Sequence, residues 1–177
     1  AVSRPLFAGY GRVSGPGPEA ATGPSTGPSE DRARTAVAAI RIALAQLAAA
    51  VGGPARNAVR IAAAHAEAAA AGADLVVTPE LALPGYPPDD LLLSAEFLAA
   101  VDDALTDLAA TTDGGPDLVL GTVGPAPEPG PAVAWGVCPA TTELANRAVL
   151  LRGGRVAASY AKMRLPNEGV FDEARHF

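Results

Sequence analysis

The chain has 177 residues, of which 49% are hydrophobic and 18% are charged, and its formal net charge is −6. This length and apolar content suit one domain with a packed core that needs no disulfide or metal for its stability. Lysine and arginine are not clustered, which argues against a nucleic-acid surface because phosphate contacts need such clusters. An anionic membrane surface is disfavoured for the same reason.

The chain contains one cysteine, Cys138, so no intramolecular disulfide can form. No secretory signal pattern is present, and no apolar run reaches the roughly 20 residues that span a bilayer. Two histidines and one cysteine at wide spacing predict no metal site. These observations predict a protein of the reducing cytoplasm that binds neither membrane nor metal.

Residues 1–36 differ in composition from the rest of the chain. They are rich in glycine, proline and serine, as in Gly15-Pro16-Gly17-Pro18, and they show no apolar period. Such a segment cannot bury enough surface to offset the entropy lost on ordering. We expect a disordered leader over 1–36 and an ordered domain over 37–177.

The first elements of the ordered part are a strand and a helix. Residues 40–46 predict a strand, with Ile40, Ile42 and Leu44 on a well-buried face. Asn57 is predicted to cap an alanine-rich helix that ends at Gly72, where a left-handed residue costs little. His65 on this helix is interpreted as a solvated or packing residue.

The next strand leads directly into a glutamate. Residues 73–78 form the short apolar run of a buried parallel strand, and Pro79 and Glu80 follow at once. Loops that leave the carboxyl edge of an open α/β sheet converge on a crevice where ligands bind. Glu80 is therefore a candidate site residue.

The later elements predict a layered α/β sheet with mixed strand pairing. Ser94 can cap an amphipathic helix, and a third strand follows at 117–123, so that strands and helices alternate as in a parallel sheet. Two further strands flank Gly153-Gly154, a connection suited to a tight hairpin. Lys162 follows this hairpin.

Three stretches carry a resemblance to a known family. They are Ile42-Ala-Leu-Ala-Gln46, Thr78-Pro-Glu-Leu-Ala-Leu-Pro-Gly-Tyr-Pro-Pro-Asp-Asp-Leu91 and Leu165-Pro-Asn-Glu-Gly-Val-Phe-Asp-Glu173. From about Ile40 to Phe177 the chain resembles the nitrilase superfamily and, within it, the glutaminase domain of glutamine-dependent NAD synthetases. The resemblance implies a nitrilase-like α-β-β-α sandwich, of which this chain holds the N-terminal part.

The resemblance also implies a Glu-Lys-Cys triad. Glu80 matches the general base and Lys162 the lysine of this triad. The nucleophilic cysteine of the family comes after the lysine, whereas Cys138 precedes Lys162 and is interpreted as a loop thiol with no role. The chain by itself is therefore expected to be inactive.

Two further positions are expected to contact substrate. Tyr86 is retained six residues after Glu80 and is expected to line the pocket. Glu168 stands six residues after Lys162, where the synthetases usually carry a tyrosine that contacts glutamine. A carboxylate in place of an aromatic ring changes the packing and the charge at that position.

The function implied by the resemblance is hydrolysis of L-glutamine, with the ammonia passing to a synthetase domain of the complete protein. That domain would use ATP and magnesium to amidate deamido-NAD, while the glutaminase site itself needs no cofactor. A homo-oligomer is expected. Two alternatives stay open: a stand-alone nitrilase-like amidase or carbamoylase, and a non-catalytic remnant.

Overall fold

The computed structural model describes residues 7–12, 39–126, 144–169 and 171–177. Within these ranges the chain forms six strands, two α-helices and two short 3-10 helices, at Asp89–Leu93 and Glu173–Arg175. The longer elements, in chain order, are β1 (Phe7–Arg12), β2 (Arg41–Ala45), α1 (Pro54–Ala70), β3 (Leu75–Val77), α2 (Ala95–Thr111), β4 (Asp117–Pro125), β5 (Leu144–Arg152) and β6 (Arg155–Ala161).

The six strands form one sheet in the order β1-β2-β3-β4-β5-β6. Strands β2, β3 and β4 pair in parallel, and α1 and α2 are the crossovers between them. The other three pairings are antiparallel, and β5 joins β6 through the predicted turn, where Gly153 and Gly154 have φ of 57° and 70°. The predicted α/β sheet with mixed pairing is confirmed.

Both helices pack on one face of this sheet and form the core with it. Because side chains alternate along a strand, every second strand residue points at the helices. The strands contribute Ala43, Ala45, Val76, Leu118, Leu120, Val149 and Leu151 to the core, and the helices contribute Ile61, Ala64, Ala68, Val101, Leu105 and Leu108.

The buried face of β2, the strand predicted over residues 40–46, differs from the prediction. Ala43 and Ala45 are buried, whereas Leu44 is 52% exposed and Ile40 is 56% exposed. The prediction was wrong because α1 packs on the face of β2 that carries the two alanines. The prediction assigned the large apolar side chains to the buried face. The small alanine side chains are buried instead, because they allow the helix to approach the sheet closely.

Helix α1 begins earlier than predicted, and Asn57 does not cap it. Gly53 is the N-cap residue, Pro54 occupies the first turn, and Asn57 is 1% exposed inside the helix. The Asn57 amide donates to the carbonyls of Ala50 (2.8 Å) and Leu83 (2.9 Å), so it fastens two loops rather than the helix end. The C-terminal prediction is confirmed, since Gly72 follows α1 with a φ of 73°.

Two further side-chain predictions are confirmed. The Ser94 hydroxyl accepts a hydrogen bond from the backbone N–H of Phe97 at 3.2 Å and so caps α2. His65 is a packing residue, because it is 5% exposed and its Nε2 lies 2.8 Å from the carbonyl oxygen of Pro116. This contact ties α1 to the loop that leads into β4.

Strand β1 lies within the segment that was expected to be disordered. Phe7–Arg12 pairs with β2 in antiparallel fashion, so the prediction of disorder does not hold for these six residues. The remainder of 1–36 lies outside the described residues, as does Cys138. None of the helices in the described part of the chain is long and apolar enough to cross a bilayer.

Candidate active site

Glu80 lies just beyond the end of β3, on a loop that is held against β4. The backbone of Leu83 donates to the carbonyl of Gly121 at 3.1 Å, and Gly121 donates to the Thr78 hydroxyl at 3.1 Å. A β-carbon on Gly121 would lie 2.4 Å from the carbonyl oxygen of Pro79, so only glycine permits this approach.

The residue after Glu80 has a strained backbone. Leu81 has a φ of 47°, in the left-handed region that non-glycine residues rarely adopt, and its side chain is fully buried. Such strain persists only where the surrounding structure imposes it, and it is common at functional sites. Burial of Leu81 and the close packing on Gly121 impose it here, and together they fix the direction in which Glu80 leaves the loop.

Lys162 directly follows the last residue of β6, and its side chain extends to Glu80. Its backbone N–H donates to the carbonyl of Asn146 at 2.8 Å, which extends the pairing of β5 and β6 by one residue. Its Nζ lies 2.7 Å from Oε1 of Glu80. The structure therefore brings together the two residues that the sequence singled out as catalytic candidates.

A second carboxylate, Glu173, completes the cluster around Lys162. Its Oε1 and Oε2 lie 3.0 Å and 2.9 Å from Nζ of Lys162, and its side chain is 7% exposed. Sequence reasoning missed this role, although Glu173 closes the motif that begins at Leu165. A glutamate eleven residues after the lysine was the signal that could have indicated it.

Asn146 on β5 also reaches the cluster, and sequence reasoning missed it too. Its side-chain N–H donates to Oε1 of Glu80 at 2.6 Å, and the residue is 4% exposed. Asparagine is uncommon in strands, which is a weak local signal, but it does not indicate which group the side chain of Asn146 meets. Its position becomes significant only once β5 is paired with β4 and the Glu80 loop lies above it.

The charges of the cluster act on Lys162. Partial burial alone would lower the pKa of Lys162, but its hydrogen bonds to Glu173 and Glu80 and the negative charges of both carboxylates outweigh this and raise the pKa. Lys162 is therefore an ammonium at neutral pH. A fixed ammonium can stabilise an oxyanion that develops beside it.

Tyr86 lies over the buried carboxylate. Its hydroxyl donates to Oε1 of Glu173 at 3.4 Å, and the residue is 38% exposed. Burial raises the pKa of Tyr86, and the negative charges of Glu173 and Glu80 raise it further. Tyr86 and Glu173 also line a cleft of about 260 Å³ between the loop after Glu80 and the C-terminal segment that ends at Phe177.

The remaining sequence candidate lies on the surface. Glu168 is exposed, and within the described ranges its carboxylate has no hydrogen-bond or ion-pair partner. It lines a shallow depression together with Leu165 and Phe171. The described residues also include no group of three or more His, Cys, Asp or Glu side chains that could hold a metal ion.

Comparison with known proteins assigns the chain to a family. The carbon-nitrogen hydrolase family model matches residues 41–177. Glutamine-dependent NAD(+) synthetases of Synechocystis sp. and Xanthomonas campestris are 41% and 42% identical over 139 and 142 residues, which cover 77% and 78% of this chain. The same alignments cover 23% and 22% of those relatives, so the chain spans less than a quarter of their length.

Solved structures agree with this assignment. The glutamine-dependent NAD+ synthetase of Acinetobacter baumannii matches with a TM-score of 0.64 and 29% identity, over 77% of this chain and 23% of that one. A nitrilase-superfamily amidase from Nesterenkonia matches with a TM-score of 0.57 and 31% identity, over 77% of this chain and 46% of that one. The expected nitrilase-like α/β fold is thus confirmed, and the chain belongs to the carbon-nitrogen hydrolase family.

Proposed function

We propose that this chain supplies the acid–base half of a glutamine amide hydrolase that provides ammonia for the amidation of deamido-NAD to NAD. The observation that carries the proposal is the contact of 2.7 Å between Lys162 and Glu80 at the carboxyl edge of the sheet. The curated relatives are glutamine-dependent NAD(+) synthetases, which supports glutamine as the amide that is cleaved.

Amide hydrolysis requires a nucleophile because the amide carbon is a poor electrophile. The only cysteine of the chain is Cys138, and the proposed nucleophile is instead a thiol from the part of the relatives' length that this chain does not span. Glu80 would remove the proton of that thiol, which then attacks the carboxamide carbon. Lys162 would stabilise the oxyanion of the tetrahedral intermediate.

Collapse of the intermediate requires a proton on the leaving nitrogen. Glu80 would return the proton that it took from the thiol, so that ammonia leaves and a thioester remains. Water would then enter and lose a proton to Glu80 as it attacks the thioester carbon. The C–S bond breaks, and Glu80 would return this proton to the departing sulfur, so that glutamate and the free thiol are released. Glu173 would serve in both steps by holding the Lys162 ammonium beside Glu80.

The ammonia would be used elsewhere in the full-length protein. We propose a separate synthetase domain that activates deamido-NAD with ATP and magnesium, because the relatives' names pair glutamine with NAD synthesis. Tyr86 and Glu168 would contact the glutamine, Tyr86 from beside the buried carboxylate and Glu168 from the surface depression that it lines with Phe171.

A substrate panel tests the proposal. The full-length gene product is incubated with L-glutamine, L-asparagine, propionamide and an N-carbamoyl amino acid, and ammonia release is measured for each. We expect L-glutamine to have the highest kcat/KM. Preference for propionamide or for the carbamoyl compound would instead indicate a stand-alone amidase or carbamoylase, and no release from any of them would indicate a non-catalytic remnant.

A further inference from the structure

Asn146 contacts both candidate catalytic residues and has no assigned role. Its side-chain amide donates to Oε1 of Glu80 at 2.6 Å, and its backbone carbonyl accepts the N–H of Lys162 at 2.8 Å. One buried residue of β5 therefore holds the side chain of one partner and the backbone of the other.

The two oxygens of Glu80 are used differently. Oε1 accepts from Asn146 at 2.6 Å and from Lys162 at 2.7 Å. Within the described residues Oε2 has no hydrogen-bond partner, and the Glu80 side chain is 44% exposed. A carboxylate whose first oxygen is held by two donors can turn only by breaking both bonds, so its second oxygen keeps a fixed direction.

The chemistry of the amide makes this arrangement specific. An asparagine side chain offers N–H donors that stay uncharged at every pH of interest, so it can orient a carboxylate without neutralising it. Lys162 alone could not fix Glu80 in this way, because its ammonium is also held by both oxygens of Glu173. The Asn146 amide, which lies on a strand, is a second donor that fixes the orientation of the Glu80 carboxylate.

We propose that Asn146 is a positioning residue that fixes Glu80 through Oε1, so that Oε2 is the atom that takes up and returns the proton. This inference rests on the proposed amide hydrolysis. It assigns Asn146 no contact with substrate, and it predicts that loss of the donor impairs proton transfer rather than glutamine binding.

The test uses the full-length gene product and the variant Asn146→Ser, which removes the donor from reach of Glu80 without adding a charge beside it. The expected result is a fall in kcat for glutamine hydrolysis of ~100-fold, the low end of what general acid–base catalysis contributes, with KM nearly unchanged. NAD synthesis from free ammonia should keep its rate. If Asn146→Ser does not fold, Asn146→Ala, which also removes the donor, is used for the same measurement.

Two further variants separate the outcomes. Asn57→Asp alters the other buried asparagine of the described residues, which lies on α1 and binds only backbone groups, and it should lower the unfolding temperature without lowering kcat per folded molecule. Lys162→Ala tests the proposed function itself. If Lys162→Ala abolishes glutamine hydrolysis while Asn146 variants keep the full kcat, the positioning inference is overturned and the proposed function stands. If Lys162→Ala has no effect on glutamine hydrolysis, the proposed function is wrong, and the positioning inference that rests on it is wrong too.

Discussion

Nζ of Lys162 lies between two carboxylates from distant parts of the chain, 2.7 Å from Oε1 of Glu80 and 2.9 Å from Oε2 of Glu173. The two carboxylates differ in exposure, since the side chain of Glu80 is 44% exposed and that of Glu173 is 7% exposed. The buried partner can act as the permanent counterion of the ammonium. The exposed partner is left free to exchange protons with a reacting group.

The first prediction concerns this buried counterion. Glu173→Gln removes one of the two charges that hold Lys162, and a hydrogen bond between charged groups contributes about 1.5–3 kcal/mol. We therefore expect kcat for glutamine hydrolysis to fall by ~10-fold to 100-fold, as measured by ammonia release from the full-length protein. Glu67→Gln, an exposed glutamate on α1, is the matched control and should leave kcat unchanged. Equal kcat values for both variants would contradict the role of Glu173.

The second prediction concerns the close packing beneath the Glu80 loop. In Gly121→Ala the new β-carbon would lie 2.4 Å from the carbonyl oxygen of Pro79 and 2.5 Å from the backbone nitrogen of Leu81, so the loop must move. Overpacking of this kind destabilises a fold by about 1–3 kcal/mol. Thermal unfolding should show this loss, and kcat should fall because Glu80 is displaced.

The control for this substitution separates strain from displacement. Gly114 has a φ of 73°, and a β-carbon there meets no atom within 4 Å. Gly114→Ala should therefore cost stability through its backbone conformation but leave the glutaminase rate intact. Full activity in Gly121→Ala would show that this contact does not position Glu80.

The third prediction concerns the ionisation of Tyr86. Burial and the charges of Glu173 and Glu80 raise the pKa of Tyr86, while the Lys162 ammonium lowers it. The difference between the alkaline absorbance titrations of the protein and its Tyr86→Phe variant should show one tyrosine that ionises above the ordinary pKa of about 10. Glu173→Gln should move this step to lower pH and Lys162→Met to higher pH. A step at the ordinary value that neither substitution moves would contradict the described contacts.

The sequence was most informative where the signal is local. The cap at Ser94, the left-handed Gly72 and the hairpin at Gly153-Gly154 each depend on neighbouring residues, and all three predictions are confirmed. The convergence of Glu80 and Lys162 could also be predicted, because parallel strands end at a common edge and the resemblance named both residues.

The sequence was less informative where distant elements meet. Asn57 was expected to cap a helix, but its side chain is buried and donates to the carbonyl of Leu83, which is 26 positions away. Asn146 becomes a neighbour of Glu80 and Lys162 only through the pairing of β5 with β4 and β6. Glu173 reaches Lys162 from the short helix after β6, where its backbone N–H donates to the carbonyl of Pro166. Periodicity indicates which face of an element is apolar, but it does not indicate which polar side chains meet across the sheet.

The proposed nitrogen supply can be followed directly with isotopes. The full-length protein and its Lys162→Ala and Glu80→Gln variants are given either amide-labelled ¹⁵N-glutamine or ¹⁵N-ammonium, and the label in NAD is measured. We predict that the unsubstituted protein uses both sources, whereas both variants incorporate nitrogen only from ammonium. Equal loss of both sources in the variants, or continued incorporation from glutamine, would contradict it.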